Sequence, residues 1–299
     1  MTFFDMLTRQ FPGLELRREE PLSNHTSFKI GGPAPMAFPV SAQMLVDVYR
    51  WCLAQDVQPL LIGAGTNILA PDEGMDRLVI CTKGLSKITD MGNGILEAEA
   101  GVPMAKLACA ARDLGLTGLE FSHGIPGTVG GGVYMNAGAY GGELCQVVIS
   151  TTAMLPDGSI WEAEGEEQEF SYRTSAFQKK GAVILKSRVR LQPGDPAAIA
   201  ARMRELMEKR KSSQPLELPS AGSTFKRPVG GYAAALIDEA GLKGKGIGKA
   251  AVSEKHAGFV VNLGGATAAD VLATMEMVQK EVMEHSGIRL EPEVRIWQV

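Results

Sequence analysis

Four cysteines in 299 residues, Cys52, Cys81, Cys109 and Cys145, share no CxxC spacing, and three of them sit in apolar surroundings (WCL, ICT, LACAA). That scatter argues against a disulfide framework or a thiolate metal site, and the thiols read as small buried hydrophobes in a reducing compartment. The four histidines, His25, His123, His256 and His285, are equally dispersed, so no metal ion is expected. No apolar run is long enough for a membrane span. The opening MTFFDMLTRQF lacks a charged start followed by a long apolar stretch, so it does not read as a secretory signal and the cytoplasm is the expected compartment. Positive charge is not in excess: 30 Lys and Arg stand against 34 Asp and Glu, a net charge of −4. Nucleic acid is therefore not an expected partner, and any affinity for an anion must come from local basic groups and backbone N–H groups. Internal repeats and low-complexity tracts are absent.

What is present is an ordinary globular balance, 45% hydrophobic and 21% charged, over a length that allows two domains. After a polar lead-in, Ser41 reads as the N-cap of a helix to about residue 55, with Leu45, Val48, Tyr49 and Cys52 at helical spacing. Short apolar runs at residues 59–62, 78–81 and 96–100 read as strands, and Pro103 opens a helix that Gly115 stops. Strands are expected near 147–155 and 182–191, with the acidic stretch 162–169 between them as a solvated loop. Helices follow at 196–211, 233–240 and 268–285, a strand at 259–262, and a closing strand in LEPEVRIWQV. The turn residues of LQPGDP suggest a domain boundary at 191–196.

Glycine is the compositional anomaly, 35 residues or about 12% against a usual 7% or so. GAGTN at 63–67 follows a strand candidate and suits either a phosphate cradle or a tight surface turn. The block GIPGTVGGGVYMNAGAYGGE at 124–143 is too glycine-dense for an ordinary turn, and two such loops suggest a ligand with a diphosphate spine. GKGIGKA at 244–250 has no apolar strand before it and two lysines through it, with Lys243 just ahead, so it reads as a loop. A doubly wound dinucleotide fold is thereby not expected.

In order along the chain, NHTSFKIGG, GAGTN, the 124–143 block, SYRTS, PSAGSTFKRP, VSEKHAGFVVN and LEPEVR resemble the UDP-N-acetylenolpyruvoylglucosamine reductase family over residues 24–295. The resemblance implies an α+β protein. Its FAD-binding domain, of the vanillyl-alcohol and para-cresol oxidoreductase type, would occupy residues 1–194 with a core at about 29–194. A C-terminal α+β substrate domain would occupy 195–299, its last strand returning to the first lobe. It further implies noncovalent FAD, NADPH as hydride donor, and a nucleotide-sugar substrate whose enolpyruvyl group is reduced in peptidoglycan synthesis. Arg173, Ser223 and Glu293 match the family's catalytic positions. Gly63, Ala64, Gly65, Thr66, Asn67, Gly127, Thr128, Gly130, Gly131, Gly132 and Asn136 match its FAD segments, and Tyr140, Gln214, Lys226 and Arg227 are substrate candidates. Only 49 residues separate Arg173 from Ser223, so the chain resembles the family's short form, without a tyrosine-bearing loop. Arg227 stands where an asparagine is common.

The implied chemistry explains such a set. Reducing an enol ether conjugated to a carboxylate spreads negative charge into that carboxylate, which a fixed guanidinium such as Arg173 stabilises. Glu293 would hydrogen-bond the same group, and Ser223 would donate a proton to carbon, with Lys226 easing the charge left behind. The rival readings are an FAD-dependent sugar or alcohol oxidoreductase of the same fold, and a nucleotide-binding regulatory module. The first often carries FAD covalently, for which the glycine segments offer no obvious anchor; the second has no use for the three catalytic candidates.

Overall fold

The structure, a computed structural model, describes residues 2–298. The chain builds two compact units. The first comprises the segment ending at Arg18 with Pro35–Ala64 and Arg77–Lys209; the second comprises Glu19–Ala34, Gly65–Asp76 and the chain from Arg210. The division runs through the segment 63–67 and leaves most of the helix Pro196–Ser213 with the first unit. That placement differs from a cut at 194/195 because the helix buries Ile199 and Met203 in the first unit's main core.

A largely parallel sheet with the strand order Glu15–Pro21, Pro33–Phe38, Val79–Cys81, Leu60–Ile62 opens the fold. Its strand Val79–Cys81 is buried throughout, as a parallel strand covered on both faces should be. Ser41 caps the helix Ala42–Leu53 by accepting from the Met44 amide at 3.2 Å, and Leu45, Val48, Tyr49 and Cys52 face inward as their spacing requires. The lead-in is not featureless. Thr2 and Asp5 form a capping box on a helix Phe3–Gln10, and Glu15–Pro21 is a strand whose residues ELRREE are mostly exposed. Its charges suit an outward edge and hide the alternation by which a strand is read.

The second sheet is five-stranded and antiparallel, in the order Ile160–Glu164, Val148–Met154, Val183–Arg190, Ile95–Glu99, Ile88–Gly92. Leu96, Ala98 and Val189 share a core with Met104, Leu107 and Ala111 of the helix Met104–Asp113. The acidic stretch 162–169 is not a loop: it supplies the edge strand Ile160–Glu164 and a 3₁₀ turn, Gly165–Gln168. Ala163 is buried between exposed Glu162 and Glu164, a half-buried alternation that the charge run masks. Gln168 is fully buried and accepts from Thr151 Oγ1 at 2.9 Å.

In the second unit, Gly246–Ile247, Ala250–Val252 and Val260–Asn262 form an antiparallel meander against the helix Ala268–Ser286, whose capping box is Thr267 and Asp270. GKGIGKA therefore includes a hairpin strand as well as loop. Buried Asn262 accepts from the Gly264 and Ala266 amides and donates to the Phe28 carbonyl at 2.9 Å. Of the expected closing strand only Arg295–Ile296 is regular, pairing in parallel with Ile68–Leu69, and both belong to the second unit.

His256 accepts from the Gly258 amide at 3.1 Å and packs edge-on against Phe259. Burial, with a smaller effect of Lys243, pushes its pKa below the ordinary 6.5. The unfolded chain thus binds this proton first, so its contribution to stability is complete above pH 6.5 and is lost as the pH falls through the lowered value. Denaturant titrations stepping down from pH 8 should show that loss. The His256→Ala variant, less stable throughout, should show a shallower slope; an unchanged slope would assign the loss to other groups.

Candidate functional site

Gly63, at the head of the first glycine segment, meets the second segment within the first unit. Gly63 follows the strand Leu60–Ile62, and a Cβ placed on it would lie 2.6 Å from Thr128 Oγ1. Thr128 caps a short helix, Val129–Tyr134, so the second segment is not loop throughout. Nor do the helix's first amides face outward as a phosphate cradle would require. Val129 N donates to Val102 O at 2.8 Å, Gly130 N to Ala100 O at 2.9 Å, and Gly131 N to Thr128 Oγ1 at 3.4 Å.

The three consecutive glycines serve different ends. A Cβ on Gly130 would fall 2.8 Å from Ala100 Cβ, and one on Gly132 would fall 2.9 Å from Met104 Sδ; these two let the helix approach its neighbours. Gly131 is exposed, and a Cβ there would meet only Thr128 Oγ1, at 3.7 Å. Its bare face, beside the Gly63–Thr128 contact, is surface that any side chain would cover. That arrangement fits a large planar ligand lying against backbone, as the ring system of FAD would.

Beyond the helix, three sequence-selected residues adopt left-handed backbone: Asn136 (φ 42°), Tyr140 (φ 54°) and Arg173 (φ 54°). Non-glycine residues at such φ values cost of order 1–3 kcal/mol each and gather at functional sites. Tyr140 stands at the exposed tip of the hairpin joining Gly138–Ala139 to Gly142–Glu143. Arg173 sits in a two-residue turn closed by Ser171 N to Thr174 O at 3.0 Å and Thr174 N to Ser171 O at 3.1 Å. Asn136, expected among the cofactor contacts, is buried, and its amide is engaged within the chain. It accepts from Cys145 N at 2.9 Å and donates to Glu143 Oε2 and Ser171 O, both at 3.1 Å. Of the thiols expected to be buried, Cys145 is exposed and Cys109 only partly covered; partial burial and the Glu143 charge, against the Asn136 hydrogen bond, raise the Cys145 pKa.

In the second unit the segments bearing Ser223 and Glu293 lie side by side. Phe225 and Pro292 form an antiparallel bridge, and Glu293 N donates to Thr224 O at 2.8 Å. Ser223 is exposed and Glu293 half-buried. Asn67, also expected to meet the cofactor, turns its amide to the Glu293 carbonyl at 3.1 Å, and its own carbonyl accepts from Arg295 N. Gly65 is held at φ 64° where a Cβ would run into the His25 carbonyl; Thr66 follows in the same turn. Lys226 is turned toward Glu291, with Nζ 3.4 Å from Oε2, so the expected easing of charge at Ser223 is not its geometry. The Arg227 guanidinium lies 3.7 Å over the Tyr232 ring. Gln214 Oε1 is enclosed with no hydrogen-bond partner among the described residues. Arg173 and the pair Ser223 and Glu293 fall in different units.

One residue passed over in the sequence is Ser27. Its amide donates to Gly65 O at 3.0 Å and its hydroxyl to Ser220 O at 2.6 Å, tying the segment 24–29 to both neighbouring loops. Nothing in residue type or spacing marks it apart from its place in NHTSFKIGG. Among the described residues no cluster of His, Cys, Asp and Glu has the makings of a metal site, and no helix is long and apolar enough to cross a membrane.

These features define an FAD-binding protein of the α+β class with a distinct C-terminal unit. The family model for an FAD binding domain matches residues 33–164, and that for the C-terminal domain of UDP-N-acetylenolpyruvoylglucosamine reductase matches 214–297. The reductase of that name from Limosilactobacillus reuteri is 46% identical over 97% of both chains, and that from Agathobacter rectalis 45% identical over 99% of this chain and 98% of its own. The crystal structure of the Thermus caldophilus reductase superposes with a TM-score of 0.81 at 34% identity, covering 95% of this chain and all of that one. The chain belongs to the UDP-N-acetylenolpyruvoylglucosamine reductase family.

The division of labour among the glycines has a direct check. Gly131→Ala should keep or slightly raise the melting temperature, since alanine is about 1 kcal/mol better than glycine inside a helix. Gly130→Ala, with its Cβ forced to 2.8 Å from Ala100, should lower it. Equal losses in both would show that the exposed face is also packed.

Proposed function

We propose that the chain is an FAD-dependent enzyme that uses NADPH to reduce the enolpyruvyl group of UDP-N-acetylglucosamine enolpyruvate to UDP-N-acetylmuramate, in peptidoglycan synthesis. Near-full-length identity to reductases of this name, 46% over 97% of both chains, carries the reading. Four free cysteines are in keeping with a cytoplasmic setting. FAD would be held noncovalently by residues 63–67, by Gly127 and Thr128 at the start of the glycine helix, and along the bare face of Gly131. Gly130 and Gly132 serve that surface by letting the helix pack. When bound, FAD supplies the hydride that it has taken from NADPH.

The chain's own residues then have distinct tasks. The double bond gains one hydrogen at its methylene carbon, and negative charge develops on the neighbouring carbon and its carboxylate. Arg173 would stabilise that carboxylate, an interaction that strengthens as charge grows. Glu293, held through its backbone by Thr224 and Asn67, orients the same group. Ser223 delivers a proton to the carbon, so one hydride and one proton saturate the bond and the ether linkage survives. Tyr140, Gln214, Lys226 and Arg227 are assigned to the nucleotide sugar. The exposure of Tyr140 and Arg227 and the enclosed acceptor of Gln214 support this.

Two measurements test the reading. The purified protein should be yellow and release FAD on acid precipitation, and with NADPH it should convert the enolpyruvyl substrate to a product two mass units heavier. NADPH consumption that ignores the enolpyruvyl group would favour an oxidase instead. Ser223→Ala should leave FAD content and reduction by NADPH intact while slowing reoxidation by substrate on the order of 10²- to 10⁴-fold, the usual share of a positioned general acid. Equal slowing of both halves would move Ser223 to cofactor positioning.

A further inference from the structure

The SYRTS turn is short, exposed at Ser171 and Tyr172, and carries Arg173 in strained backbone, and a buried side chain from another segment reaches it. Asn136 Nδ2 donates at 3.1 Å to the Ser171 carbonyl, the same oxygen that closes the turn by accepting from Thr174 N. Arg173 Nη2 also reaches Gly138 O at 3.4 Å, and the guanidinium lies 5.1 Å from the centroid of the Tyr172 ring. The direction in which the Arg173 side chain leaves the backbone is set by the turn, and the turn is pinned from inside by Asn136.

Asn136 is suited to this. It is 1% exposed, all its amide atoms are engaged, and at φ 42° it occupies a conformation that asparagine tolerates better than most side chains. Its backbone N–H also donates to Val133 O, at the end of the glycine helix. A second tether runs the same way, Ser175 Oγ to Tyr134 O at 2.8 Å. The helix that leaves Gly131 bare thus also carries the brace for Arg173.

We propose that Asn136 is a positioning residue for Arg173: by holding the Ser171 carbonyl it aims the guanidinium at the substrate carboxylate, and it is not itself a cofactor ligand. The proposal rests on the role given to Arg173 above. Asn136→Gly is the informative variant, because glycine accepts the left-handed backbone and only the amide is lost. Should it fail to fold, Asn136→Asp combined with Glu143→Gln retains volume, keeps the acceptor for Cys145 N and a partner at position 143, and replaces the donor to the Ser171 carbonyl with a carboxylate oxygen that repels it.

In the FAD-free protein, hydrogen exchange at the Thr174 amide should quicken about tenfold, the effect of losing about 1.4 kcal/mol at one contact. FAD affinity and reduction by NADPH should stay within about twofold of wild type, and reoxidation by substrate should slow about tenfold or more for a similar loss at the transition state. In an Arg173→Ala background the further loss from Asn136→Gly should shrink to under about twofold, because residues acting through one another are not additive. Full additivity, a loss of FAD affinity, or unchanged exchange at Thr174 would each overturn the proposal. A wild-type protein that the substrate fails to reoxidise would overturn the functional reading itself, and that outcome is seen before any variant is made.

Discussion

The first unit depends on one close approach. The helix Val129–Tyr134 lies so near residues 100–104 that a methyl group at Gly130 would intrude on Ala100, and Val102 and Ala100 carbonyls take its first amides. The approach is closed at its start by the Pro103 and Thr128 bridge and by Met104 N to Gly127 O at 3.0 Å. Everything downstream inherits its position from this packing: the Gly63 contact at Thr128, the bare face at Gly131, and the buried Asn136 that grips the Arg173 turn. Side-chain volume is excluded at 130 and 132 for packing and at 131 to keep surface open, two physical reasons for one run of glycine.

The second unit meets a different constraint, the satisfaction of loop backbone. Segments 24–29, 65–67, 220–226 and 291–295 contain little regular structure, and their polar groups are paired across one another rather than in ladders. Ser27, Asn67 and Asn262 do this with side chains whose partners are backbone carbonyls and amides. Loops held this way, with the segment 219–224 also bonded to the strand Val260–Asn262, can present Ser223 and Glu293 side by side.

Much of this was legible in the sequence because some signals are local. Ser41 and Pro103 mark helix starts by chemistry that acts within three residues, and the apolar run at 78–81 is buried throughout and so needs no alternation. The family, too, was legible, since ordered motifs over residues 24–295 carry the same identity as the near-full-length relatives. What was not legible depends on partners distant in the chain. The edge strands Glu15–Pro21 and Ile160–Glu164 look like charge runs until their neighbours appear. Glycine density at 124–143 signals close approach but not to what, so packing glycines and a surface glycine look alike. Asn67 and Asn136 sit in cofactor-like motifs, and their amides also bond the segments bearing Glu293 and Arg173, contacts that only geometry reveals.

The central claim is that one short helix provides the cofactor surface and, through Asn136, the aim of Arg173. A crystal structure of the holoprotein with the enolpyruvyl substrate measures this directly. The account predicts FAD in van der Waals contact with the Gly131 backbone, the Arg173 guanidinium on the substrate carboxylate, and the bond from Asn136 Nδ2 to Ser171 O intact. Cofactor lying away from Gly131, or a guanidinium turned from the carboxylate while that bond persists, would contradict it.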